Sequence, residues 1–315
     1  MQAAATLGLN LGLQGDSVRS RRLLDYAQKL SRRDLQTQFW AIEDAVGRGD
    51  VAAALMHYDT ALRTSTTAHD VLFPVLAGAT ADPTIRFHLI ATLAKKPLWG
   101  EAFITWIANA GTRPDAIARL FLGLRQASVT LTPETLALAT DRLIALGSVD
   151  QAWLFYAATH PGADKSRSRD PKFNTSLNTP SVFDWQPVND GTVAASIQRG
   201  DQGNMLDFAV PPGIGGVLVR QMEMLPSGDY RIEGHSRAID QSEASLPYWI
   251  LTCSNGREVG RVSVLRSAQA NGLFAGHFSV PADCPTQTLA LVAKASDDVG
   301  GVAGQIDWIR VVPNR

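Results

Sequence analysis

The chain has almost no charge of either sign to spare. Its 315 residues carry 29 basic and 30 acidic side chains, a formal net charge of −1, so no excess positive potential drives it towards a nucleic-acid backbone or an anionic membrane. Long apolar runs are missing too. Nowhere do the roughly 18 or more apolar residues of a spanning helix follow one another, so the chain as given does not cross a bilayer as a helix. The opening MQAAATLGLNLGLQG lacks a basic start, an unbroken apolar core and a small-residue cleavage site, so it does not read as a signal peptide. Membrane association then requires a segment absent from this chain, and a targeting or anchoring segment upstream stays open.

Catalytic motifs are also lacking. The six histidines are scattered, and no HExxH, paired-cysteine, GxSxG or Walker-type pattern brings ligands or nucleophiles to the spacing such chemistry needs. The glycines of PPGIGGV, from Pro211 to Val217, sit among strand-like runs and read as a loop. Asp297 and Asp298 belong to a DDVGG stretch where a turn explains both residue types. No catalytic residue, cofactor or metal ligand is assigned, and the chain is not read as an enzyme. What it does have is 45% hydrophobic residues and enough length for two domains, each with its own core.

The first half has a helical rhythm. From Leu7 to about Thr159 apolar residues recur at spacings of three and four, with Gly, Pro, Ser and Asp punctuating the pattern. Gly15 and Gly49, each followed by Asp, share one sequence offset with Leu24 and Tyr58 and with Ala27 and Ala61. The segments holding these positions resemble tetratricopeptide repeats, with Gly15 and Gly49 at the turn between paired helices and Ala54, Tyr58 and Ala61 along the second helix. Ser20 departs from that pattern where Ala54 stands in the next copy, and the phase is lost beyond residue 65. Pro74, Pro83, Pro97, Pro114 and Pro133 are expected to mark helix ends, giving about nine helices. The resemblance implies a concave surface that binds a protein partner.

Residues 161–180 are polar, proline-containing and aperiodic, which reads as a linker with Lys165, Arg167, Arg169 and Lys172 in solvent. Beyond it the rhythm changes to a period of two. VLVRQMEML, DYRIEGHSRA, YWILTCS, EVGRVSVL, LFAGHFSV, QTLALVAK and GQIDWIRVV are strand-length runs between turn residues, so seven or eight strands in an antiparallel sandwich are expected. In DYRIEGHSRA, Tyr230 and Ile232 face one way and Arg231, Glu233, His235 and Arg237 the other. YWILTC is apolar on both faces and reads as a central, covered strand. Cys253 and Cys284 fall where a strand and a turn can bring them together, so a disulfide is expected, with two buried thiols as the alternative. Pairing points to the periplasm or cell envelope, while a cytoplasmic location stays open.

The Phe183–Trp185 segment, Arg220 and Gln221, LPSGDYRIEGHSR, FSVPADCP and the closing GQIDWIRVV together resemble the jelly-roll sandwiches of carbohydrate-binding modules and discoidin-like domains. The likeness covers most of 181–315 and implies a glycan, or a second partner, as ligand. Some such modules hold calcium near the last strand, where Asp307 stands, but no accompanying ligands are identifiable and no metal is assigned. An aromatic ring stacks on the apolar face of a sugar while polar side chains meet its hydroxyls. The candidate ligand residues are Trp185, Arg220, Gln221, Arg237, Tyr248 and Gln305. Trp249 and Trp308, flanked by apolar neighbours, read as core.

The expectation is therefore a multidomain α and β protein: a tetratricopeptide-like helical domain over 1–160, a linker over 161–180 and a jelly-roll sandwich over 181–315. Its function reads as a non-catalytic binding or scaffold protein of the bacterial cell envelope, serving polysaccharide assembly or export. A purely structural subunit without a glycan site is the alternative, and a polysaccharide-processing enzyme ranks third.

Overall fold

The computed structural model describes residues 2–175, 178–200 and 203–314. By its contacts the chain divides into two compact units, Met1–Phe155 and Tyr156–Arg315. Among the described residues the first unit is helical: α1 (Gln2–Leu13), α2 (Ser17–Leu30), α3 (Leu35–Gly47), α4 (Val51–Thr64), α5 (Thr67–Ala79), α6 (Pro83–Leu93), α7 (Gly100–Ala110), α8 (Pro114–Gln126), α9 (Pro133–Ala145) and α10 (Val149–Thr159), within which the boundary falls.

Local chemistry explains where these helices begin and end. Gly15 and Gly49 adopt φ of +88° and +71°, a left-handed conformation costly for any residue with a Cβ. Each closes its helix in the same way. Asp16 N–H bonds to Leu11 O while Gly15 N–H bonds to Gly12 O, and Asp50 and Gly49 repeat this with Ala45 and Val46. The Asp carboxylates then cap the next helix, accepting from Arg19 N at 3.1 Å and Ala53 N at 2.9 Å. One Gly-Asp pair thus ends one helix and starts another. The positions sharing its offset, Leu24, Ala27, Tyr58 and Ala61, are all buried.

Pro83, Pro114 and Pro133 occupy the first turn of their helices, as expected. Pro74 does not mark an end: it lies inside α5, where its ring removes one N–H from the helical ladder. From α4 onward, α4 packs on α6 and α6 on α8, while α5 packs on α7 and α7 on α9. Alternate helices therefore form two stacked layers.

The second unit holds ten described strands in two antiparallel sheets. One sheet has the order β1 (Gln186–Pro187), β4 (Gly216–Glu223), β9 (Gln287–Ala293), β6 (Tyr248–Cys253), β7 (Glu258–Ser263). The other runs β2 (Ala194–Gly200), β3 (Gly203–Val210), β10 (Val302–Pro313), β5 (Gly228–Arg237), β8 (Leu273–Val280). The inward residues of both sheets, among them Leu206, Phe208, Ile232, Trp249, Leu251, Leu289 and Ile309, form one buried core. β5 keeps its expected alternation, with Tyr230 and Ile232 buried and Arg231 exposed. β6 is interior to its sheet, but its burial alternates, so one face is more open than expected. β1, β2 and β3 have no counterpart among the seven expected runs. β1 has only two residues, and β2 and β3 contain few β-branched or aromatic side chains.

The stretch read as a linker enters this core. β3 pairs with β10 only as far as Ile306, leaving the following residues of β10 without a strand on that side. Residues 168–173 take the place: Ser168 N–H bonds to Val311 O at 3.0 Å, and Ile309 N–H to Pro171 O at 2.9 Å. Phe173 is fully buried. Arg169, expected in solvent, is buried as well and donates to Phe183 O at 3.0 Å, to Glu223 Oε2 at 2.8 Å and to Met222 O. Desolvation pushes the Glu223 carboxyl up to about 7, with Arg169 pulling the other way.

Cys253, at the end of β6, and Cys284, in the turn before β9, form a disulfide with Cα atoms 5.5 Å apart. It closes a span of 31 residues; cross-links of this length contribute about 3–4 kcal/mol. Cys253→Ser combined with Cys284→Ser is therefore expected to lower the unfolding free energy by a comparable amount, read from the fall in the urea midpoint. A second expectation concerns pH. Glu223 holds its proton in the native state above its ordinary value of 4.5, so its contribution to stability is full below that value and lost as pH rises through about 7. Thermal unfolding across that window should show a falling midpoint in the parent chain and a flatter profile in Glu223→Gln.

Candidate ligand-binding face

One strand irregularity organises the site. In β10 the pairing with β5 slips between Ile306 and Trp308, leaving Asp307 as an extra residue opposite His235. Ile306 and Ile309 remain buried on the core side. Asp307 and Trp308 consequently both emerge on the outer face, where a regular strand would have sent one inward.

On that face Asp307 Oδ2 accepts from His235 Nδ1 at 2.5 Å and from Arg237 Nε at 2.8 Å. Gly272 lies behind His235: its φ is +76°, and a Cβ there would come within 3.0 Å of the imidazole Nε2 and 2.2 Å of Ser236 O. The position therefore requires glycine. Alongside, Arg310 reaches over the Trp308 ring at 5.7 Å and pairs with Glu233, and Gln305 donates to Asp207 at 2.9 Å. Next to this cluster a cavity of about 590 Å³ is lined by His235, Arg237, Asp307 and Trp308, by Asn204 of β3 and by Lys172 and Asn174 of the segment following Arg169. Asn204 Nδ2 donates to Phe173 O at 2.8 Å, which ties the segment to the sheet.

The sequence candidates scatter around this arrangement. Arg237 lines the cavity, and Gln305 pairs directly across from it on β10. Arg220 and Tyr248 belong to the other sheet; Arg220 bonds to Gln186 at 3.2 Å, and Tyr248 is covered by Arg261 at 4.2 Å. Two candidates lie inside the protein. Trp185 is 3% exposed, donates Nε1–H to Asp170 O at 2.9 Å and meets Trp249 edge-on. Gln221 is buried and donates to Phe183 O at 3.1 Å. Neither presents a surface to a ligand. Trp308, expected in the core, is instead half-buried on the outer face. Trp249 is core, as expected.

His235, Asp307, Lys172, Asn174 and Asn204 were not proposed as ligand residues from sequence. Only the alternation of β5, which put His235 with Arg237, held a usable signal. Asp307 stands where the family resemblance would put calcium, but its Oδ2 is taken by two nitrogen donors, His235 Nδ1 and Arg237 Nε, so that oxygen is not free to meet a cation. Among the described residues no group of three or more His, Cys, Asp or Glu side chains is arranged to hold a metal ion. No described helix is long and apolar enough to cross a membrane.

The second unit is thus a two-sheet antiparallel β-sandwich with a polar, indole-bearing outer face. No protein-family model matches the chain, and no curated protein does. Solved structures similar to it include several carbohydrate-binding modules. TmCBM61 in complex with β-1,4-galactotriose is 13% identical over 48% of this chain and 100% of its own, with a TM-score of 0.34. The CBM22-1 xylan-binding domain of Paenibacillus barcinonensis Xyn10C is 14% identical over 49% of this chain and 100% of its own, with a TM-score of 0.32. The enzymatically active domain of bacteriophage CBA120 tailspike protein 4 is 12% identical over 45% of this chain, at a TM-score of 0.31; the match spans 20% of that chain.

The exposure pattern of the sandwich tryptophans is directly measurable. Hydroxyl-radical footprinting read by mass spectrometry is expected to oxidise Trp308 while Trp185 and Trp249 stay protected. Protection of Trp308 to the level of Trp249 would contradict the outward bulge.

Proposed function

We propose that the chain is a non-catalytic, glycan-binding scaffold protein of the bacterial cell envelope, in which the sandwich holds a polysaccharide and the helical unit docks a protein partner. The observation that carries the glycan half is the bulge at Asp307, which sets a partly exposed indole beside a fixed set of hydrogen-bonding groups. An indole face matches the C–H face of a pyranose, and Arg237, His235, Asn174, Asn204 and Lys172 match its hydroxyls. The hydrogen bonds that Asp307 accepts from His235 and Arg237 hold these groups in place before a ligand arrives, which lowers the ordering cost of binding.

Non-catalytic binding fits the carboxylate inventory. Glycoside hydrolysis ordinarily needs a pair of carboxyl groups flanking the bond. Among the described residues lining this cavity Asp307 is the one carboxylate, and it is committed to Arg237 and His235. The envelope assignment rests on the Cys253–Cys284 disulfide, a bond that persists in oxidising compartments. Within this proposal the process served is polysaccharide assembly or export.

A glycan array followed by calorimetric titration tests the glycan half. The parent chain should bind at least one polysaccharide class, and Trp308→Ala should weaken that binding about tenfold or more with the unfolding midpoint little changed. Absence of binding across neutral and acidic polysaccharides at millimolar concentration would favour the purely structural alternative.

A further inference from the structure

The overall charge balance conceals a local imbalance in the helical unit. Three cavities are lined mainly by residues of α2, α4 and α6 and of the turns that follow α2 and α6. One, of about 500 Å³, is lined by Arg32, Arg33, Thr60, Arg63 and Thr64. A neighbour of about 580 Å³ shares Arg32, Thr60 and Arg63 with it and adds Lys29 and Asp25. The third, of about 450 Å³, shares Met56 and Asp59 with the second and continues over Ala52, Leu55, Ala91 and Lys95. The shared linings make a single groove, basic at one end and apolar further along.

Lys29, Arg32, Arg33, Arg63 and Lys95 line it against two carboxylates, Asp25 and Asp59. Asp59 is already engaged, accepting from Trp99 Nε1 at 3.0 Å and facing Arg63 at 3.8 Å. Among the described residues Lys29, Arg32 and Arg33 make no ion pair. The basic end is also held in place. Gln38, buried, donates Nε2–H to Arg32 O at 2.9 Å and meets His57 Nδ1 through Oε1 at 2.9 Å, which fastens the α2–α3 turn to α4. Met56, 60% exposed, offers a flexible apolar surface at the centre.

We infer that this groove receives an acidic segment of a partner protein, with carboxylates at the Arg32–Arg33–Arg63 end and an apolar side chain over Met56. Guanidinium groups pair carboxylates bidentately, and the apolar continuation selects a peptide over a polyanionic sugar, which has no side chain to bury there. The inference rests on the helical unit being a docking surface and is independent of the glycan-binding face.

Selection of a random-peptide phage library on the 315-residue chain tests it. Peptides enriched in Asp or Glu next to an apolar residue are expected. Anisotropy titration of a labelled enriched peptide should weaken about tenfold or more in Arg33→Glu combined with Arg63→Glu, and should weaken with added salt. Circular dichroism checks that this variant folds, and the milder Arg33→Gln should give a smaller loss in the same direction. Enrichment of neutral or basic peptides, or binding that both variants leave unchanged, overturns the acidic-segment inference while leaving docking intact. No enrichment at all overturns both.

Discussion

A single residue inserted into the pairing of β10 with β5 decides what the sandwich can do. β10 lies in the middle of its sheet, with β3 on one side and β5 on the other, so its inward residues must stay in register with the core. The slip at Asp307 preserves Ile306 and Ile309 inside while turning Asp307 and Trp308 together towards solvent. Without it, strict alternation would bury one of the pair. The indole would then leave the surface, or the Asp307 carboxylate would be buried away from His235 and Arg237, at high desolvation cost.

The segment between the helices and the first strand completes the same arrangement. β10 extends past the reach of β3, and its unpaired backbone groups need partners. Ser168 and Pro171 supply them, and Arg169 and Phe173 anchor the segment beneath the sheets. As a result Lys172 and Asn174 arrive at the edge of the cavity. The anchor is the buried contact between Arg169 and Glu223, which carries a high desolvation cost and would leave its partner buried and unpaired if either side chain were removed. Fold and site thus share their supports: what secures the end of β10 also furnishes two of the groups around its outer face.

Much of this is legible in the sequence, where the signal is local. Gly15 and Gly49 announced the turns between helices because a left-handed backbone demands that residue type, while the capping role of Asp16 and Asp50 emerged from the structure. The seven strand-like runs correspond to β4 through β10 because period-two patterning reports one buried face. Where the signal was not local, the reading failed. Pro74 sits within a helix, Arg169 is buried despite a polar neighbourhood, and β1 to β3 lack a strand-like composition. Trp185 is buried and Trp308 half-exposed, the reverse of what their neighbours suggest, because neighbouring residue types do not reveal a bulge in one strand or a strap over another.

The sequence by itself determined the helical first half and strand-built second half, the helix boundaries at the two Gly-Asp pairs and at Pro83, Pro114 and Pro133, and the inward and outward faces of β5. Each follows from the conformational preference of a residue or from a repeat of apolar side chains along a few turns. Only the tertiary structure decided that Trp308 and not Trp185 reaches solvent, that Arg169 pairs with Glu223, and that three arginines from the α2–α3 turn and α4 converge on one groove, while the expected Cys253–Cys284 disulfide is present. Those outcomes depend on which distant segments lie side by side, and that is set by the pairing of strands and the stacking of helices across the whole unit.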